Sequence, residues 1–339
     1  MHAGKNFSFR VVFNWTIRDT LVFAIVAIVP TVLYEVFGYK GLTIPWLPVA
    51  LVGTAVAFIT GFKNNASYDR LWEARKIWGA IVNSSRTWGI MARDFVTNNA
   101  NEQAISDSDL KAIHTRLIYR HIAWMTALRF QLRQPRGWEN QDKAYMKTFQ
   151  KKYRVPEMTD DLEEILSTVL SEEDKSYVLA KKNRATQIIS LQSKDLKELF
   201  NKGLLDNFKH LGLEKVLEDF YDQQGMCERI KSFPYPRQFA TFNQIFVWLF
   251  ILLVPFGMLQ EFEKLGDHSV WLTIPFSVLV SWVIHTMEKI GEVTENPFEG
   301  GINDIPMEAL SRTIEIDLRD MLDEKELPEP ILAVKDVLM

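Results

Sequence analysis

The chain has 339 residues, 47% of them hydrophobic and 24% charged, enough for one or two domains with a substantial core. Its 39 Lys and Arg against 43 Asp and Glu leave a net charge of -4, which excludes a general electrostatic footprint for nucleic acid. The single cysteine, Cys227, excludes an internal disulfide framework and a multi-cysteine zinc site.

A mean hydropathy of -0.07 is that of an ordinary soluble protein, but the average hides segregation. The first 20 residues lack a short apolar stretch followed by a small-residue cleavage pattern, so the first hydrophobic segment is expected to persist. Residues 20–37, broken near the end by Glu35, and 44–62, with no charge, form a first pair of spans joined by a short connector. Residues 240–259 and 269–287, the latter with only His285 ionisable, form a second pair. Each approaches the ~20 apolar residues that cross a bilayer as a helix, and uncharged runs of that length are rare in soluble cores.

Lys and Arg set the orientation, because cytoplasmic flanks carry the excess. Lys5, Arg10 and Arg18 precede the first span, and Lys63, Arg70, Arg75 and Lys76 follow the second. Arg229, Lys231 and Arg237 precede the third, Lys289 and Arg312 follow the fourth, and the two short connectors hold only Lys40 and Lys264. The expected organisation is a cytoplasmic N-terminal segment with the first pair (1–62), a cytoplasmic helical domain (63–239), the second pair (240–289) and a cytoplasmic C-terminal segment (290–339). The protein is thus expected in the plasma (inner) membrane with both termini inside.

Between the pairs the periodicity is helical throughout. Residues 109–133 carry Ile113, Leu117, Ile122, Trp124, Leu128 and Phe130 on a broad stripe. Residues 171–200 open with a serine followed by acids, as a helix N-terminus does. Pro306 opens another helical pattern with Asp304 near its N-cap, and the last 14 residues read as an extended tail able to dress a neighbour. The fold class is all-α.

No common catalytic signature is present, so neither an enzyme nor a cofactor is expected. His114 and His121 are a heptad apart, with no third ligand visible nearby. The second span, with Gly53, Thr54, Ala55, Ala57, Thr60 and Gly61, is rich in small side chains suited to close helix approach or to a narrow passage. Spacing by four selects Leu47, Leu51 and Ala55, with Phe58 adjacent; in several copies around an axis these would form apolar rings, and in a single bundle a lipid-facing stripe. The flank 62–79 is dense in polar and aromatic groups and suggests a helix-end network in which Glu73 meets Arg70 and Lys76.

The span pairing, the FKNNASYDRLWEARKIWG flank, QGMCERIKSFPYP and ENPFEGGINDIP together resemble a bacterial bestrophin over roughly Phe13 to Leu322. The resemblance implies a homopentamer around one pore, with the second span lining a hydrophobic neck. The neck then falls at Leu47, Leu51 and Ala55, and a second, cytosolic constriction at Leu205 or the adjacent Leu204. Its partners are other copies of itself, membrane lipid and the permeating ions.

Eukaryotic bestrophins also hold calcium in an acidic belt after the fourth span. Here only Asn296 and Asp304 match side-chain ligand positions, with Gly301 and Val293 where oxygen donors are needed, so no metal is expected. The implied function is passive ion flow, with chloride (eukaryotic members) and monovalent cations such as sodium (bacterial relatives) both open. Glu261, Glu263 and Asp267 against Lys264 lean towards cations. A non-conducting scaffold or sensor is the rival from another class, and a transporter fits less well because the spans lack buried charged pairs.

Overall fold

The computed structural model describes residues 1–98, 105–266 and 268–339. Among them the chain is nearly all helix: α1 (Phe9–Glu35), α2 (Trp46–Phe95), α3 (Asp107–Arg133), α4 (Ala144–Lys152), α5 (Pro156–Thr159), α6 (Leu162–Ser167), α7 (Glu172–Leu179), α8 (Arg184–Asn201), α9 (Asn207–Ser232), α10 (Arg237–Glu263), α11 (Thr273–Thr294) and α12 (Met307–Asp320). The only β pairing among the described residues is two isolated bridges. Four helical segments, containing α1, α2, α10 and α11, are long and apolar enough to cross a membrane.

α2 is the dominant element. Its 50 residues span about 75 Å at 1.5 Å per residue. Its proline, Pro48, sits in the first turn, where a missing N–H costs nothing, and no later proline breaks the ladder. The helix-end network expected at 62–79 is therefore not there, because the helix does not end. Glu73 pairs with Arg229 and not with its helical neighbours, and Arg70 donates from Nε to the Glu295 carbonyl at 2.9 Å.

Contacts divide the chain into two units. The span unit comprises residues 4–71 and 234–296, and the helical unit residues 1–3, 72–233 and 297–339. In the span unit, α1 packs on α11 and α10, and α10 on α11. Phe23, Val49, Val56, Val247, Phe250, Ile251 and Val254 form its core. Gly53 permits the approach of α2 to α10, since a Cβ there would lie 2.5 Å from Phe250 Cε2. Two polar contacts lie inside it: Lys63 Nζ is 2.7 Å from Glu288 Oε1 with both side chains buried, and Thr60 Oγ1 donates to Asn243 Oδ1 at 3.1 Å. The Lys63–Glu288 pair stands one residue beyond the spans read from the sequence at 44–62 and 269–287.

The helical unit is organised around α3, nearly every residue of whose second half is buried. Trp88, His121, Trp124 and Phe220 stack together, with the His121 and Phe220 ring centres 4.4 Å apart. Buried arginines on α3 are paired: Arg120 with Asp174 and Asp195, Arg129 with Glu157, Arg133 with Asp304. Ser171 caps α7 as its sequence suggests, but the helical run 171–200 is two helices. The chain breaks after α7 and restarts where Asn183 accepts the Thr186 N–H, because a side-chain cap competes locally with the continuing helix. The tail ends on its own chain: Val337 and Met339 are buried with Tyr153 and Val155, and Val337 bridges to His2.

Candidate functional site

The span-unit stretch of α2 has two distinct faces. Val49, Val56, Thr60, Lys63 and Ser67 are buried on one side. On the other, Leu47 is 70% exposed, Leu51 64%, Phe58 65% and Phe62 69%, and Ala55 is exposed beside them. The most apolar stretch of this span is 11% buried, against 28%, 44% and 22% for those of α1, α10 and α11. A single subunit therefore leaves an apolar stripe on α2 with nothing of its own chain against it.

The structure places the three sequence-predicted residues Leu47, Leu51 and Ala55 on this exposed side, and the stripe continues further than they do. Steps of four drift by about 40° each at 3.6 residues per turn, so Ala55 stands about 80° from Leu47, whereas Phe58 and Phe62 stay within about 60° of it. A step of three from Ala55 to Phe58 brings the series back to the face, and a further step of four reaches Phe62. The two phenylalanines are also the bulkiest groups on the stripe, so in a ring of copies they would reach furthest inwards.

Leu204 and Leu205, expected at an inner constriction, are both only 2% exposed. The exposed apolar groups nearby are Phe208, at 86%, and Leu211, on the first turns of α9, whose N-terminus is capped by Asp206 accepting the Lys209 N–H at 2.9 Å.

His114 and His121 do not meet over a ligand. His114 Nε2 lies 2.9 Å from the Val96 carbonyl, and His121 Nε2 lies 2.8 Å from Ser85 Oγ. Burial drives the His121 pKa down to about 3, so the ring is neutral in the fold. Among the described residues no three His, Cys, Asp or Glu side chains are placed to hold a metal.

The segment after α11 does not fit calcium either. Asp304 Oδ2 accepts the Gly300 N–H at 2.6 Å and the Arg133 Nη1 donor at 3.1 Å, both buried. Glu299 Oε2 accepts the Asn140 N–H at 3.0 Å. An arginine already neutralises the acidic turn, and a divalent ion there would face a fixed positive charge. Gly300, at a φ of +91°, gives the turn its left-handed residue. Asn296 is buried in the span unit. At the end of α10, Glu263 is bound by Tyr34 and Lys40 and Glu261 by Lys264, while Asp267 lies outside the described residues.

Comparison with known proteins settles the family. A model of the bacterial and fungal bestrophin proteins matches residues 8–320. The chain belongs to the bestrophin family. This bestrophin is 28% identical to the voltage-dependent anion channel-forming protein YneE of Escherichia coli K12, over 87% of this chain and 83% of that protein. It is 29% identical to the voltage-dependent anion channel-forming protein RSc3414 of Ralstonia nicotianae, over 84% and 80%. A crystal structure of a variant of the bestrophin homologue from Klebsiella pneumoniae superposes with a TM-score of 0.74 at 25% identity, covering 91% of this chain and 99% of that one. Family and relatives together make this bestrophin a membrane protein of the ion-channel kind.

Proposed function

We propose that this bestrophin is one subunit of a pentameric channel for passive flow of small ions across the plasma membrane, with both termini and the 63–239 segment in the cytoplasm. One observation carries the reading: an exposed, largely apolar stripe on the membrane-length stretch of α2, the least buried of the four such stretches. Its partners are four further copies and the surrounding lipid. Closed symmetric assembly would turn Leu47, Leu51, Ala55, Phe58 and Phe62 into stacked apolar rings that admit an ion only as it sheds water. The phenylalanine rings are the narrowest part of that neck.

An inner constriction, expected from the resemblance at Leu205 or Leu204, is better served by Phe208 at the start of α9, one turn on and exposed. The printed names of the relatives point to anions, and chloride and sodium are both to be tested as the permeating ion. The direct experiment reconstitutes the purified protein in planar bilayers and measures reversal potentials in asymmetric sodium chloride, with the mass of the intact complex measured in parallel. Pentamers that carry current support the reading. Monomers as the only species, or pentamers without current, leave the scaffold as the better account.

A further inference from the structure

Following the exposed stripe of α2 inward leads to its first charged member. Counting about 100° per residue from Leu47, Asn65 returns to the same direction and Asp69 falls with Leu51, about 40° away. Both side chains are exposed. Asp69 is seven residues, about 10 Å, beyond Phe62 along one continuous helix. The cations adjacent in sequence are committed elsewhere. Lys63 is buried against Glu288, and Arg70 stands about 100° round the helix from Asp69 with its Nε donating to the Glu295 carbonyl, so its charge lies off the stripe.

We propose that Asp69 is a charge-selectivity residue: one carboxylate per subunit, ringed just inside the apolar neck, that concentrates cations and repels anions there. This rests on the channel reading with α2 at the axis. An apolar neck cannot sort ions by sign, because it offers neither sign a replacement for water. A ring of like charges at its mouth does, by raising the local concentration of the opposite charge within a Debye length, about 10 Å at 0.1 M salt. Lys76, seven residues further along the same stripe in sequence, has the opposite sign but lies about 20 Å from Phe62 by helical rise, beyond a Debye length from the neck. The ring nearer the neck sets the balance.

The test is the sodium-to-chloride permeability ratio of the full-length protein in planar bilayers. Asp69→Asn is expected to lower the ratio about threefold or more, and Asp69→Glu to keep it near the parent's. In the unaltered protein the ratio should rise as salt is diluted from about 1 M to about 0.05 M, because screening weakens. That arm needs no variant and stands even if Asp69→Asn does not assemble. Currents whose ratio ignores both the substitution and the dilution overturn the inference and leave the channel reading intact. No current from the assembled parent overturns the channel reading, and this inference with it.

Discussion

The two contact units of the chain solve burial in opposite ways. The helical unit hides large groups completely, Trp78, Trp88, Trp124 and Phe220 among them, and pairs its buried arginines with carboxylates. The span unit keeps a modest core and leaves Leu21, Ile25, Leu47, Leu51, Phe58, Phe62, Phe242 and Leu249 exposed. Exposed apolar surface on that scale calls for another apolar partner, either lipid or another copy. The same residue type therefore has a different job on each side of the division: in one unit it stabilises a closed core, and in the other it forms a surface.

The largest effects should fall where the difference is sharpest. Phe220→Ala, in the aromatic cluster with His121, is expected to cost about 3–5 kcal/mol, whereas Phe58→Ala should leave the melting temperature of the assembled protein nearly unchanged. Equal losses in a thermal melt would erase the distinction between core and stripe. Lys63→Met tests the span unit from its polar side. It strands Glu288 in a buried site at a cost of about 3–5 kcal/mol, and adding Glu288→Gln should recover part of it. A double variant no better than the single one would show that the pair matters only through packing.

Acid should act on the helical unit. His121 is held neutral with its pKa near 3, below the 6.5 of a free ring, so the unfolded chain takes up a proton there that the folded one refuses. Stability from this group is intact above pH 6.5 and falls by about 1.4 kcal/mol per unit as pH drops towards the folded pKa. His121→Phe should flatten that part of a pH-dependent melt, and an unchanged slope would show that other groups carry it. The smallest expected effect is none: micromolar calcium and chelator should give the same current, since Asp304 is already bound by Arg133 and Gly300. Steep activation by calcium would mean a ligand set elsewhere.

The all-α class and the four membrane-length segments were legible in the chain because exclusion of charge from ~20 residues is a long-range pattern that few other structures produce. Long-range pairing was not legible. Glu73 with Arg229 and Arg133 with Asp304 join residues far apart in sequence, so local spacing pointed Glu73 to its helical neighbours instead. The length of α2 was hidden for a related reason: polar residues at 62–79 look like a helix end when their distant partners are unknown. Leu204 and Leu205 follow only from position relative to QGMCERIK, a comparison blind to burial, and both are buried within the subunit. The stripe was half legible, since a strict step of four gave Leu47, Leu51 and Ala55 but slid off the face before Phe62.

The most direct test of the stripe as the wall of a conducting path is single-channel current in planar bilayers for Phe62→Ala, Leu51→Ala and Val52→Ala, each checked first for assembly by mass. Shrinking an apolar ring lowers the desolvation barrier, so the first two substitutions should raise conductance or open probability, Phe62→Ala the more. Val52, packed against the span-unit core, should leave both unchanged. Parent-like currents from the two stripe variants, with altered conduction from Val52→Ala, would contradict the account and put a different face of α2 at the pore.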